Sequence, residues 1–398
     1  MLLDRFLRYV KIDTQSDEDS SSTPSTSKQY DLLNLLKEEL LELGVKSEID
    51  QYGRLYAKVE GNKNYPNIGL CAHVDTALEC SGKDVKPQVI KDYDLSDIPL
   101  GKSGLMLSPK EFKKLNELKG KTLITTDGAT LLGADDKAGV AIIMDILENY
   151  LKIDINKRRG LSILFTPDEE IGRGPEHFDP KKYGCEFAYT IDGSEPESIE
   201  IENFNAKAVQ IEIKGKSIHP GDAKGVMVNA SLVLAEFMAM LPQDMIPAKT
   251  EKREGFNHVV SIEGNVEQAS AHYILRNHDA DLLTKQVSDF ESIVNQLLKK
   301  YPSSEISLQI TDQYRNMIEV INKNPACKNH IENVFKKLGF KYEYKPIRGG
   351  TDGATFSFKG VPCPNLGTGS YNHHGRYEFA VLEEMEKMVQ IGLEIFKL

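Results

Sequence analysis

Cysteine is scarce in this sequence, and its distribution excludes two kinds of site. The chain of 398 residues has five cysteines, widely separated, and no two of them form a Cys-x-x-Cys pair. An odd number of scattered cysteines does not indicate a disulfide framework, and the missing Cys-x-x-Cys pair argues against a thiolate zinc site. Because disulfides are rare in reducing compartments, this pattern predicts a cytoplasmic protein.

Long apolar runs and an excess of positive charge are also absent. No stretch approaches the length of a membrane span, and the opening sequence Met1-Leu-Leu-Asp-Arg does not have the layout of a signal peptide. The chain has 60 acidic and 49 basic residues, which gives a formal net charge of -11. We therefore expect neither nucleic acid nor an anionic membrane as the main partner.

The sequence does contain two styles of strand, and they predict two domains. Short apolar runs at residues 68–72, 161–165 and 187–191 alternate with helical patterns, which is typical of an α/β sheet with helices on its faces. From about Ala206 the strands alternate apolar and polar residues, which indicates an antiparallel sheet with one exposed face. The buried-strand style returns at residues 361–366.

We therefore expect an α/β catalytic domain with a mixed sheet, interrupted by a smaller α+β domain. The catalytic domain would comprise residues 1–205 and 316–398, and the inserted lid or dimerisation domain residues 206–315. A chain of this length exceeds one ordinary core, which also favours two domains. Near the N-terminus, Thr26 and Gln29 fit a capping box before an amphipathic helix.

Two adjacent aspartates, Asp135 and Asp136, stand at the predicted start of a helix in the middle of the chain. Aspartate is a common N-cap, and the helix dipole favours negative charge at that end. Acidic and imidazole side chains also follow the buried runs on either side. We therefore expect four segments of the chain to bring their side chains to the same site. Ligands in α/β sheets gather at the carboxyl ends of strands.

The segments that follow the buried strands offer metal ligands and a base. In His73-Val-Asp75 the carboxylate can accept a hydrogen bond from the far ring nitrogen and fix the tautomer of His73 for metal binding. For the adjacent pair Glu169 and Glu170 the functional interpretation is that one binds a metal and the other takes a proton from water. A polar strand end and a solvated turn are the alternative interpretations of these pairs.

Two more segments complete this predicted set. Asp192 closes the third buried run, and adjacent His373 and His374 follow near the C-terminus, of which we expect one to be a ligand. Mixed nitrogen and oxygen ligands suit zinc, with cobalt or manganese as substitutes. Asp135 can bridge two ions about 3.5–4 Å apart, the spacing of two-metal hydrolases.

Three other segments are candidates for holding a substrate. His219 and Arg276 lie in the predicted insert, and Arg276 stands among apolar residues, which favours a carboxylate clamp. Arg348 and Gly350 lie in the returning part, where glycines allow backbone to approach a peptide closely. Surface charges and a plain loop are the alternative interpretations.

The motifs together resemble the co-catalytic zinc peptidases, the family that includes carboxypeptidase G and succinyl-diaminopimelate desuccinylase. The broad resemblance lies in CAHVDT, GADDKAG, DEEIG and NHHG, and it covers nearly the whole chain. A nearer similarity, to the tripeptide aminopeptidases of this family, lies in HPGDAKGVMVNA, YILRNHD and IRGGTDGA.

The resemblance implies a role for each matching residue. His73 and Asp192 would bind the first metal, Glu170 and His374 the second, and Asp135 both, with a cis bond between Asp135 and Asp136. The resemblance also implies that Asp75 is the acid behind His73, that Glu169 is the general base, and that His219 and Arg276 reach in from the insert. His373 stands where the pattern leads us to expect tyrosine or another residue, so the choice of His374 rests on the His-Gly match.

We therefore expect a cytoplasmic aminopeptidase that releases the N-terminal residue of tripeptides with two zinc ions per subunit. Its partners would be small peptides, and a homodimer through the insert is a further expectation. A dipeptidase or an N-acyl amino acid deacylase of the same family is the nearest alternative. A peptide-binding module without catalysis is the alternative from a different class.

Overall fold

The computed structural model describes residues 2–398, which divide into two units. The first unit comprises the chain up to Ile201, Met317–Lys345 and Thr351–Leu398, and the second comprises Glu202–Asn316 and Pro346–Gly350. The helices are α1 (Leu2–Tyr9), α2 (Gln29–Glu42), α3 (Ala134–Tyr150), α4 (Pro180–Tyr183), α5 (Ala230–Met240), α6 (Ala280–Lys300), α7 (Ile318–Lys323), α8 (Ala326–Leu338), α9 (Asp352–Phe358) and α10 (Leu382–Phe396).

The strands follow the same order along the chain. They are β1 (Ser47–Ile49), β2 (Leu55–Val59), β3 (Ile68–His73), β4 (Gln88–Ile90), β5 (Ile98–Pro99), β6 (Met106–Leu107), β7 (Leu123–Thr125), β8 (Leu161–Thr166), β9 (Phe187–Gly193), β10 (Ser198–Glu200), β11 (Asn205–Lys214), β12 (Phe256–Gly264), β13 (Gln268–Asn277), β14 (Glu305–Tyr314), β15 (Glu343–Tyr344), β16 (Asn365–Gly367), β17 (Ser370–Tyr371) and β18 (Phe379–Val381).

The first unit is built on a mixed sheet in the order β1-β2-β8-β3-β9-β16-β10-β15. Its central strands β8, β3, β9 and β16 pair in parallel, whereas β1, β2 and β10 add antiparallel pairs. Every residue of β3 and β8 is buried, as continuous apolar runs in a covered sheet predict. Helix α3 packs on β3 and β9, and α1 and α10 pack on α3. The predicted mixed sheet flanked by helices is confirmed.

Two local predictions in this unit are wrong. The returning strand is shorter than residues 361–366, because Pro362 and Pro364 have no N–H to donate to a ladder, and regular pairing begins only at Asn365. Thr26 and Gln29 do not form a capping box. Helix α2 follows Lys28 without a side-chain cap, and the Gln29 amide instead donates to Asp168 at 2.6 Å.

The second unit is an antiparallel sheet in the order β12-β13-β11-β14, with α5 and α6 packed on it around a common apolar core. The predicted antiparallel sheet is therefore present. Residues 346–350, which the sequence places with the returning part, group with this unit instead. Hydrogen bonds explain the difference, because the N–H of Ile347 donates to the carbonyl of Glu202 at 3.0 Å, and Arg348 donates to the carbonyls of Lys252 and Glu254.

No helix between Leu2 and Leu398 combines the length and the apolar character that crossing a membrane requires.

Candidate metal centre

Parallel strand pairing brings three of the predicted segments to one edge of the mixed sheet. Strand β3 ends at His73, β8 ends three residues before Glu169, and β9 carries Asp192 as its penultimate residue. Because β3 pairs in parallel with both β8 and β9, the carboxyl ends of these strands meet at the same edge. The register of the sheet therefore places histidine and carboxylate side chains side by side.

Asp135 reaches the same place from the start of α3. The residue before this helix, Gly133, has φ 76°, and the bond between Asp135 and Asp136 is cis, as the resemblance predicts. Asp135 Oδ1 lies 3.0 Å from His73 Nε2, and Asp135 Oδ2 lies 3.3 Å from His374 Nε2. The Asp135 carboxylate thus contacts His73 with one oxygen and His374 with the other.

These contacts form two groups of possible metal ligands that share Asp135. The first group is His73, Asp135 and Asp192, and the second is Asp135, Glu170 and His374. Within each group the ligand atoms lie within 4.8 Å of one another. A carboxylate shared by two nitrogen–oxygen sets is what a bridged two-ion centre requires.

The two adjacent histidines have different surroundings. His374 Nε2 lies 3.1 Å from Glu170 Oε2 as well as near Asp135. His373 Nδ1 lies 3.6 Å from Asp135 Oδ2, and its Nε2 makes a 2.8 Å hydrogen bond with the hydroxyl of Ser370. Both histidines thus have one ring nitrogen near Asp135, but only His374 belongs to a ligand group, so the geometry favours His374 as the ligand.

Asp75 joins the histidine to the two glutamates. Its carboxylate accepts the N–H of Glu169 at 3.0 Å and the N–H of Glu170 at 3.2 Å. His73 Nδ1 lies 3.2 Å from the carbonyl oxygen of Asp75 and 3.4 Å from its Oδ1. Asp75 is fully buried. Its contacts hold both the ring of His73 and the start of the loop that carries Glu169.

Burial and charge give this cluster a strong preference for cations. Burial and nearby carboxylates raise the pKa of Glu169 well above its usual range. Burial and the charge of Asp135 raise the pKa of Glu170 to about 7. Hydrogen bonds to Asp135 and Glu170 raise the pKa of His374 to about 12. Each shift has the same origin, an accumulation of negative charge away from water.

The residues present fit two divalent ions. Glu170 Oε1 is buried without a hydrogen-bond partner, while Oε2 lies near His374, so this carboxylate has an unused acceptor. The donors are imidazole nitrogens and carboxylate oxygens, the set that suits zinc and that cobalt and manganese also accept.

Sequence reasoning missed two carboxylates that support this cluster. Buried Glu378 accepts hydrogen bonds from the backbone of Leu132, Gly133 and Asp135. Glu79 Oε1 lies 3.2 Å from His374 Nδ1, on the other side of the ring from Asp135. Both acids lie in loops without hydrophobic periodicity, so only the short spacing from His374 to Glu378 offered a signal.

The predicted substrate-binding residues all lie in the second unit. The side chain of His219 is 80% exposed, and its Nδ1 accepts the N–H of Gly221 at 3.1 Å. Arg276 is buried, donates to the carbonyl of Leu275 at 3.0 Å, and stacks over the ring of Tyr314 at 5.1 Å. A buried arginine held over an aromatic ring is suited to recognising a carboxylate.

Arg348 and Gly350 have structural partners within this unit. The Arg348 guanidinium donates to two backbone carbonyls and to the hydroxyl of Thr250, and it stacks over Phe204. A side chain at Gly350 would come within 3.1 Å of the Tyr314 ring. These contacts give both residues a role inside the unit, and their predicted substrate contacts stay predictions.

Comparisons with known proteins agree with this geometry. Residues 126–397 match the family model described as Peptidase family M20/M25/M40. A Clostridium perfringens (strain 13 / Type A) protein named Peptidase T is 46% identical over 398 residues, which cover 99% of this chain and 98% of that protein. A Staphylococcus carnosus protein of the same name is 46% identical over 396 residues, with coverages of 99% and 97%.

A solved structure shows the same fold. The crystal structure of a tripeptidase from Staphylococcus aureus aligns with a TM-score of 0.79 at 21% identity, and the alignment covers 100% of this chain and 97% of that one. The family model matches more than half of the chain, and the relatives match it over almost its full length. The chain therefore belongs to peptidase family M20/M25/M40 and is a peptidase.

Proposed function

We propose that this peptidase is an aminopeptidase that releases the N-terminal residue of tripeptides and depends on two zinc ions. The observation that carries the proposal is the sharing of Asp135 between two ligand groups, with Glu169 beside them. Relatives named Peptidase T at 46% identity support the choice of substrate.

In this proposal His73 and Asp192 would hold one ion, Glu170 and His374 would hold the other, and Asp135 would serve both. The bound ions supply Lewis-acid polarisation of the scissile carbonyl and lower the pKa of the attacking water. Cobalt or manganese would replace zinc at the same ligands.

Glu169 is proposed as the general base. Its carboxylate accepts the proton of the attacking water and delivers it to the nitrogen of the leaving amine. A base needs a pKa near the working pH, and burial raises the pKa of Glu169 in that direction. Asp75 holds the N–H groups of Glu169 and Glu170, so it positions the base and the neighbouring ligand together.

The second unit is proposed to recognise the substrate. Arg276 would pair with the C-terminal carboxylate of the peptide and so help to measure its length, because its guanidinium is already held by Tyr314 and by backbone carbonyls. His219 would donate to the oxyanion of the tetrahedral intermediate, a role that its exposed side chain leaves open.

A substrate comparison tests this proposal against its nearest rivals. Purified protein is assayed with free tripeptides, dipeptides and N-acetylated amino acids, each with and without a chelator. We expect chelator-sensitive release of the N-terminal residue from tripeptides. Preferred cleavage of dipeptides or of N-acetyl groups would contradict the proposal and support a dipeptidase or a deacylase.

A further inference from the structure

Glu378 makes an unusually complete set of hydrogen bonds for a buried acid. It is 1% exposed. Its Oε2 accepts the N–H of Leu132 and the N–H of Gly133, both at 2.7 Å, and its Oε1 accepts the N–H of Asp135 at 2.9 Å. One side chain therefore serves three of the four consecutive N–H groups in residues 132–135.

These three N–H groups belong to the turn that presents Asp135. Gly133 has a left-handed conformation there, and its carbonyl accepts the N–H of Lys137 as α3 begins. Leu132 and Gly133 are buried, so their N–H groups would lose their partner without Glu378. Hydrogen bonds to an ionised carboxylate are among the stronger ones in proteins, so this acid fixes the backbone from which the Asp135 side chain projects.

Glu378 also belongs to the loop that carries His374. The N–H of Glu378 donates to the carbonyl of Gly375 at 3.3 Å, and the amide of Asn372 donates to the carbonyl of Tyr377 at 3.2 Å. These bonds close the loop around His374. A single side chain thus connects this loop to a turn more than 240 residues earlier in the sequence.

We propose that Glu378 is the positioning residue that holds Asp135 and His374 at the separation which metal binding requires. It acts through backbone N–H groups and does not itself bind metal. The inference rests on the proposed metal assignment. Because Asp135 belongs to both ligand groups, displacing its backbone disturbs both ions, and not only the one that His374 binds.

The main test is the Glu378→Gln variant. A carboxamide has one oxygen, so its NH₂ group must face either the N–H of Asp135 or the paired N–H groups of Leu132 and Gly133. Metal-free protein is titrated with zinc by calorimetry. We expect the affinity for both ions to fall by about 10- to 100-fold, the usual effect of losing a partner behind a metal ligand. Excess zinc should restore much of kcat, since Glu378 takes no part in the chemistry.

Glu383→Gln is the matched control. Glu383 also accepts a backbone N–H with both carboxylate oxygens, that of Thr122 at 3.0 and 2.9 Å, but it holds no predicted ligand. We expect its zinc affinity to equal that of the wild type. An equal loss of zinc affinity in both variants would overturn the proposal, because any clamped acid would then have the same effect.

Glu378→Asp keeps the charge and shortens the reach by one methylene, and it serves if the glutamine variant does not fold. We expect it to fold and to bind zinc more weakly. Wild-type zinc affinity in either folded variant would overturn the proposal. Failure of both variants to fold would also overturn it, because Glu378 would then be needed for the fold itself. Zinc binding is measured without substrate, so wild-type protein that binds two ions but cleaves no tripeptide would contradict only the proposed function.

Discussion

The two units differ in how they hold their predicted functional histidines. In the first unit His73 and Asp75 are buried, and Asp135 contacts two imidazoles while its backbone is held by Glu378. In the second unit Arg276 is buried and donates to backbone carbonyls, but the side chain of His219 is 80% exposed. Metal ligands must be in place before the ion arrives, whereas substrate-binding groups can adjust when the peptide binds. We therefore expect substitutions in the first unit to cost more activity.

The largest effect is expected at Glu169. Glu169→Gln keeps the size and polarity of the side chain but cannot accept a proton, so kcat should fall by about 100- to 10,000-fold while two metals stay bound. Glu170→Gln is the neighbouring control, and it should lose affinity for one metal and regain activity with excess zinc. Metal stoichiometry and kcat are measured on both. If Glu169→Gln loses a metal and Glu170→Gln keeps both without activity, the two roles are reversed.

Asp135 should be the most sensitive of the ligands. Asp135→Ala should lower the affinity for both ions by more than roughly 100-fold. That figure is the upper end of the loss caused by removing a partner behind a metal ligand, and Asp135 is itself a proposed ligand. Asp136→Ala is the comparison and should weaken metal binding less, because Asp136 accepts the N–H groups of His73 and Gly139 but belongs to neither ligand group. Metal content after dialysis distinguishes the two. Loss of both metals in Asp136→Ala, with normal content in Asp135→Ala, would show that the assignment within this pair is wrong.

The second unit should show a smaller and substrate-dependent effect. A lost charge-assisted hydrogen bond costs about 1.5–3 kcal/mol, so Arg276→Ala should lower kcat/KM for free tripeptides by roughly 10- to 100-fold. The loss should be much smaller for tripeptides with an amidated C-terminus. Arg253→Ala is the control arginine of the same unit, because its guanidinium pairs with Glu202, and its effect should not depend on amidation. An equal loss for both substrates in Arg276→Ala would refute the carboxylate role.

The smallest effect is expected at Glu79. Its carboxylate lies beside His374 Nδ1, where it can accept a ring proton and leave Nε2 free for metal. The side chain of Glu79 is 63% exposed, so its contribution should be small. Glu79→Gln should lower the affinity only for the ion that His374 would bind, by about tenfold or less. Glu117→Gln is the control, because the side chain of Glu117 is similarly exposed, at 69%. Unchanged zinc affinity in Glu79→Gln would show that His374 needs no orienting partner.

Several candidate site residues can be named from the sequence because they follow a recognisable local pattern. His73, Glu169 and Asp192 come at or just after apolar runs, and parallel pairing of those runs brings them together. The mixed and antiparallel sheets follow from the two styles of strand and are both present. The cis bond at Asp135 is also present, although the expectation came from the resemblance and not from local physics.

The supporting contacts could not be predicted, because they join distant loops. Glu378 binds N–H groups more than 240 residues away, and Glu79 lies 295 residues from His374. Nothing in hydrophobic periodicity encodes such pairs. The same reason explains residues 346–350, whose hydrogen bonds to the second unit are invisible in a local pattern. The cytoplasmic location and the homodimer remain predictions.

The most direct test of the account is a metal titration of the wild-type protein. The protein is dialysed against a chelator, zinc is returned stepwise, and bound metal and tripeptide turnover are followed together. The account predicts no turnover in metal-free protein and full recovery when two ions are bound per chain. Full turnover without metal, or saturation of activity and binding at a single ion, would contradict it.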